Sequence, residues 1–199
     1  MALKLLRQRK TLPRTGSPLF EHITDRANLA PLGNSTISIK QRMQLVIALH
    51  NAITDLFKLY IRQMYRSTRM DHYRTEVIEL AGQLMAVTVH MNRLTPQAWA
   101  TLSAKQQASP VRREGLRKVK LGLAGLLAGA LTMLREQKIY TVADRRRLAR
   151  YVEVYLPQLA PYLEPKMRGY LKIGLDNLVR SQIDAQIRAS MRRARAHIH

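Results

Sequence analysis

The chain has 199 residues, with 34 Lys and Arg against 13 Asp and Glu, a formal net charge of +21 and a pI near 11.2. Hydrophobic residues make up 46% of it, enough to build a core, which excludes a disordered basic tail. The absence of Cys excludes disulfides, thiolate zinc sites and cysteine catalysis. Charge this unbalanced opposes compaction by self-repulsion and indicates a polyanionic partner, either nucleic acid or an anionic membrane.

Residues 1–37 are predicted to form a basic N-terminal arm. Pro and Gly recur along it and no long periodic segment is present, although a short helix over 2–10 would fit. No acid precedes Glu21, whereas five basic residues do: Lys4, Arg7, Arg9, Lys10 and Arg14. The same pattern occurs in organelle transit peptides, which is the alternative interpretation of this segment.

From residue 38 onwards we expect an all-α bundle of about five to six helices, forming one domain over 38–199. Ser38 and Gln41 form a capping-box pattern that begins a helix reaching about Arg66. Asp71 can cap a second helix to about Asn92, and Thr95-Pro96 predicts a separate short helix that holds Trp99.

Three further helices are predicted in the second half of the chain. Ser109-Pro110 begins one that ends near Gln137, and the Thr141–Asp144 capping box begins another that ends near Leu156. Pro157, Pro161 and Pro165 interrupt the chain, and Pro165 starts a final helix to about Ala196.

The first long helix has two faces. One carries an apolar stripe that predicts core contacts: Val46, Leu49, Ile53, Leu56, Tyr60 and Met64. The other carries the first basic stripe, defined as Lys58, Arg62, Arg66 and Arg69, whose steps of four, four and three place it along one side. Such a line of cations can follow a run of phosphates, which predicts a nucleic-acid contact. The alternative interpretation is an ordinary solvated helix face.

The helix that follows Ser109 is divided into a basic and an apolar part. The basic segment is Arg112, Arg113, Arg117, Lys118 and Lys120, opposed only by Glu114. Cations near a helix N-terminus oppose the macrodipole, which favours an anion nearby. The apolar part, 121–134, predicts a helix buried on most sides and too short to span a membrane. Its Gly125 and Gly129 predict a close contact with another helix or another subunit, and an ordinary crowded core is the alternative interpretation.

The last two predicted helices add further cations. Arg146 and Arg150 share a face and are predicted to contact nucleic acid, whereas the consecutive Arg145, Arg146 and Arg147 cannot share one face. In the final helix Asp184 and Arg188 have the spacing of a favourable pair. Beyond Asp184 the charged residues are all cations: Arg188, Arg192, Arg193 and Arg195. They are predicted to form a phosphate-binding tail, and favourable charges at a helix C-terminus are the alternative interpretation.

The sequence gives little support to an enzyme, and no cofactor or metal is predicted. Metal-ligand spacing of His occurs only at His197 and His199, at the chain end, and no P-loop, GxGxxG or GxSxG is present. Zinc-finger, RNP and GXXG motifs are also absent, and aromatic residues make up only 6%. Contact with the nucleic-acid backbone without base reading fits this pattern best.

In its basic arm from Lys4 to Arg14, its first basic stripe and its all-α remainder, the chain resembles the coat proteins of filamentous and rod-shaped viruses of archaea. The resemblance implies an arm that wraps duplex DNA, a bundle that packs against neighbouring copies, and location in a virion. The chain is also similar to RNA-binding helical bundles that accompany reverse transcriptases, to CRISPR small subunits and to organellar ribosomal proteins. We therefore expect a multi-copy architectural DNA-binding protein, with an RNA-binding accessory subunit of an intracellular nucleoprotein complex as the alternative and a membrane-surface protein disfavoured.

Overall fold

The computed structural model describes residues 38–66 and 70–198, so the predicted arm and Arg69 lie outside the described residues. Within these ranges the structure is helical and has no strand, which confirms the all-α class. The described residues form seven α-helices and one short 3₁₀ segment, Ala160–Tyr162. The helices are α1 (Ile39–Arg66), α2 (Met70–Ala100), α3 (Ala104–Gln107), α4 (Pro110–Arg135), α5 (Val142–Leu159), α6 (Pro165–Arg180) and α7 (Ala185–Arg195).

The described part of the chain divides into two compact units, one that ends at Ala98 and one that begins at Trp99. In the first, α1 begins at the predicted capping box: the Ser38 hydroxyl accepts from the Gln41 amide at 3.2 Å, and the Gln41 side chain accepts from the Ser38 amide at 3.1 Å. The predicted apolar stripe is buried at every position except Leu49, which is half-buried. Tyr60 meets Tyr73 of α2 edge to face at 5.8 Å, and burial raises the pKa of Tyr60 to about 12.

Helix α2 runs through the boundary predicted at Thr95-Pro96, so the prediction of two helices there is wrong. The Thr95 hydroxyl donates to the Met91 carbonyl at 2.7 Å instead of capping a new helix. Asn92, the predicted last residue, is buried and donates to the Thr88 carbonyl at 2.9 Å. These side-chain bonds hold the helical turn in which Pro96 removes one backbone donor.

In the second unit, α7 packs mainly on α5 and also on α6, while α4 contacts both α5 and α6. Apolar residues at helical spacing form the core between them: Leu123, Leu127, Leu131 and Leu134 of α4; Leu148, Val152, Leu156 and Leu159 of α5; Leu171, Leu175 and Leu178 of α6; Ile187, Met191 and Ala194 of α7. The Thr141 capping box is confirmed, since Thr141 and Asp144 bond each other's backbone amides at 3.2 and 3.1 Å. Another box, at Ser103, begins the short α3, which the sequence pattern did not predict.

The final helix predicted over 165–196 is two helices, α6 and α7, separated at 181–184. Asp184 is the N-cap of α7 and accepts from the amides of Gln186 and Ile187 at 3.0 and 3.3 Å. Pro165 begins α6 as predicted, whereas Pro157 lies inside the last turn of α5 and does not end it. The prediction of one long helix is wrong because a capping carboxylate starts a new helix within a continuous apolar pattern.

The apolar part of α4 is buried on one side only, which corrects the prediction that it is buried on most sides. The exposed side is made of small or short residues together with Leu121, which is 43% exposed. It comprises Leu121, Gly122, Gly125, Ala128, Gly129 and Thr132, and we call it the α4 small-residue face. Within this unit nothing lies within 4 Å of a Cβ built on Gly125 or Gly129.

Candidate nucleic-acid interface

The first basic stripe is solvent-exposed along the C-terminal half of α1. Lys58, Arg62 and Arg66 are all exposed and lie on the side of α1 opposite the buried Tyr60 and Met64. None of the three forms an ion pair within the part of the chain that the structure describes. The stripe therefore presents three uncompensated cations over roughly two turns of helix.

Tyr65 lies beside this stripe and is 59% exposed. An exposed ring flanked by cations is suited to lie against a nucleic-acid surface, because its face is apolar and its hydroxyl is polar. The sequence pattern did not single out Tyr65, since its helical position gives no signal beyond the apolar character of the side chain.

The basic segment of α4 is exposed at all five of its cations. Arg117 binds Glu114 with both prongs of its guanidinium, at 2.7 and 2.8 Å, and this hydrogen-bonded pairing lowers the pKa of Glu114. Arg113 donates to the Gln107 carbonyl at 3.3 Å. Three cations of the segment have no carboxylate partner among the described residues: Arg112, Lys118 and Lys120.

Two ion pairs connect α5 to α7. Arg146 binds the N-cap carboxylate Asp184 through Nε and Nη2, at 2.9 and 2.6 Å. Arg193 binds Glu153 through the same two nitrogens, the Nη2 bond being 3.0 Å. Arg146 and Asp184 lie near the starts of α5 and α7, whereas Glu153 and Arg193 lie further along the same two helices. The two helices therefore run in the same direction.

The predicted pair of Asp184 with Arg188 does not form. Asp184 is taken up by Arg146 and by its capping bonds, and Arg188 donates instead to the carbonyls of Ser181 and Ile183, both at 3.2 Å. Arg195 of the same helix pairs with Asp176 of α6. Arg188, Arg193 and Arg195 thus hold α7 in place, and Arg192 alone of the predicted tail is exposed without a bond in the described structure.

Carboxylates of the second unit are few and most are engaged. Residues 99–199 contain 20 Lys and Arg but 7 Asp and Glu, a net charge of +13. Four carboxylates pair with arginines and Asp144 closes the α5 capping box. The fold of this unit therefore leaves a large excess of surface cations that its own acids do not neutralise.

The sequence pattern missed the carboxylates that place these arginines, because the partners are far apart along the chain. Arg146 and Asp184 are separated by 38 residues, Arg193 and Glu153 by 40, and Arg195 and Asp176 by 19. It also missed that Arg145 is only 5% exposed, with Nε and Nη1 buried and unbonded in the described structure. A run of three arginines gives no sign of which one faces the core.

The remaining chemistry of the described residues is sparse. They contain no group of three or more His, Asp or Glu side chains arranged to hold a metal ion. Burial lowers the pKa of both His50 and His90, which favours their neutral forms. None of the helices in the described ranges combines the length and apolar character that crossing a membrane requires.

Comparisons of the chain with protein-family models, with curated proteins and with solved structures found no match.

Proposed function

We propose that this is a non-enzymatic, sequence-independent nucleic-acid-binding protein that contacts phosphates through exposed Lys and Arg. The observation that carries the proposal is the charge distribution of the second unit, where most carboxylates are engaged within the fold and the cations exceed the carboxylates by 13. Such a surface needs mobile counterions, and a polyanion that displaces them gains binding free energy from their release.

Two exposed surfaces carry the proposed contact. The first basic stripe presents Lys58, Arg62 and Arg66 in a line, and the basic segment of α4 presents Arg112, Lys118 and Lys120 around a helix end. Both consist of long, flexible and exposed cationic side chains, the kind of group that contacts phosphate oxygens along a nucleic-acid backbone. The contact is therefore with the backbone and independent of base sequence.

We further propose that many copies coat duplex DNA, as a coat subunit of a virion does. The α4 small-residue face supports this form of the function, because an exposed helix side without bulky residues allows the backbone of another copy to approach closely. The resemblance to archaeal virus coat proteins in arm, stripe and helical remainder points the same way.

The first experiment is to purify the protein at low salt and to test whether the co-purifying nucleic acid is digested by DNase or by RNase. Heterogeneous duplex DNA is the expected result. A discrete RNA bound at a fixed ratio would refute the coat function and favour the accessory subunit. A protein free of nucleic acid that also fails to bind both added duplex DNA and added folded RNA would refute both.

A salt series on a duplex of mixed sequence tests the mode of contact. If about six phosphates are neutralised, log K falls with log salt with a slope near −5, and two unrelated sequences give the same slope and affinity. A strong preference for one sequence would contradict backbone contact.

A further inference from the structure

A groove of about 640 Å³ runs between α5 and α7 in the second unit. Four arginines line it, Arg146, Arg147 and Arg150 from α5 and Arg193 from α7, together with a single acid, Glu153. The rest of the lining is uncharged, and consists of Val154 from α5 and Gln186, Ala189 and Ser190 from α7. The lining carries a net charge of +3 within a cleft, a setting that concentrates the field on an anion.

Two of these arginines are held in place by carboxylates, and each still has N–H groups that are not hydrogen-bonded. Arg146 gives Nε and Nη2 to Asp184, and Arg193 gives the same atoms to Glu153. A guanidinium has five N–H groups, so each arginine keeps its Nη1 group available to a second acceptor. Fixing a long side chain beforehand reduces the conformational entropy lost when an anion binds.

Arg150 differs from these two, because its side chain is exposed and has no hydrogen bond or ion pair in the described structure. It lies one turn after Arg146 on the same face of α5, a rise of about 6 Å. With no hydrogen bond of its own, the Arg150 guanidinium keeps its N–H groups available for the fork geometry with which arginine binds phosphate oxygens.

We propose that the α5–α7 groove is a phosphate site for the nucleic-acid backbone, with Arg150 as the principal contact and Arg146 and Arg193 as fixed flanking donors. This inference rests on the proposed function and joins in one site Arg146, Arg150 and Arg193, which the helix patterns had placed on two separate helices. From Arg146 to Glu153 the groove extends about 10 Å along α5, a length equal to the axial rise of about three nucleotides in one strand of a duplex. Asp184 and Glu153 are then positioning residues, since they orient arginines and do not contact the ligand.

The test compares Arg150→Ala with Arg180→Ala in the full chain. Arg180 is an exposed arginine at the end of α6, outside the groove and without an ion pair in the described structure, so both variants lose the same charge. Binding to a mixed-sequence DNA duplex is measured by fluorescence anisotropy between 50 and 200 mM salt, and far-UV circular dichroism checks that each variant is folded.

We expect Arg150→Ala to weaken binding severalfold at 50 mM salt and to reduce the magnitude of the salt slope by about 0.9, the loss of one phosphate contact, with Arg180→Ala keeping the wild-type slope. Equal slopes in the two variants, with the wild type still binding, would overturn the groove and leave the proposed function standing. A wild type that binds no nucleic acid would overturn the proposed function itself.

The ¹⁵N-labelled wild-type chain provides an independent readout. The Arg146 and Arg193 Nε–H signals are expected to shift on addition of duplex DNA, since both side chains border the groove. Shifts confined to other arginines would place the contact elsewhere on the protein and overturn the site.

Discussion

Helix α4 contains four glycines whose cost in stability can be measured directly. A helix-interior Gly is about 0.8–1.0 kcal/mol less favourable than Ala, because it loses more backbone entropy on folding. At Gly125 and Gly129 an added Cβ meets no atom within 4 Å in this unit, so alanine brings the helix gain without a steric cost. We expect Gly125→Ala/Gly129→Ala to raise the free energy of unfolding by about 1–2 kcal/mol, which raises Tm by about 2–8 °C.

Gly174 provides the matched control. It also lies inside a helix, α6, but its added Cβ would be 3.0 Å from Leu131 Cδ1, and its carbonyl accepts from Arg135 at 3.1 Å. The gain in helix propensity is then offset by the shift that this contact forces, so Gly174→Ala should be less stable than Gly125→Ala by about 1 kcal/mol.

The assay is urea unfolding followed by circular dichroism, at a protein concentration low enough that assembly does not add to stability. A gain at Gly174 equal to that at Gly125 would refute the packing argument. Destabilisation by the double substitution would show that the α4 small-residue face is covered in the folded protein. In assembly on long duplex, measured by electron microscopy, the double variant should form fewer or shorter filaments if that face joins subunits, and unchanged filaments would contradict the subunit contact.

Three further substitutions test the second unit. Thr141→Ala removes one half of the α5 capping box and the hydrogen bond from the Thr141 hydroxyl to the buried Asp144, so urea unfolding should show a loss of about 1–2 kcal/mol. No loss would refute the cap. Arg145→Met replaces a guanidinium whose Nε and Nη1 are buried and unbonded, and Tm should rise, whereas a clear fall would reveal a partner for Arg145. The hydrogen bonds from Arg146 and from two α7 amides lower the pKa of Asp184 from 3.8 to about 2, so the Asp184 carboxylate stabilises the fold fully above pH 3.8 and loses this contribution as pH falls through 2. Asp184→Asn keeps a capping oxygen, but its Tm should lack that acid-dependent loss. Identical pH profiles of Tm for the wild type and the variant would contradict the linkage.

Capping chemistry made several helix starts predictable from sequence. Ser38, Thr141 and Pro165 each begin a helix where their local pattern indicates, because an N-cap or a first-turn Pro acts within a few residues. The error at Pro96 has the opposite origin. There a longer helix overrides a local signal: α2 continues through Pro96, and the Thr95 hydroxyl bonds the Met91 carbonyl within α2 instead of capping a new helix.

The sequence predicted that the candidate surface is basic, but not which of its arginines are paired with carboxylates. Helical spacing correctly places Lys58, Arg62 and Arg66 on an exposed face, since the buried stripe fixes the orientation of α1. Spacing does not distinguish Arg150, which is unpaired, from Arg193, which is held by Glu153 across 40 residues. That distinction depends on how α5 and α7 pack, and a single sequence does not reveal it.

Paired and unpaired basic residues should be substituted differently as such a protein evolves. Arg193 and Glu153 are tied to each other, so losing one leaves its partner unbalanced, and the two are expected to be retained or replaced together. Lys58 and Lys118 have no carboxylate to match in the described structure, and a cation gained a turn away would serve equally well. Among descendants of this chain, the residues that fix α7 should therefore vary in concert, while the surface cations move freely along their helices and only their total number is kept.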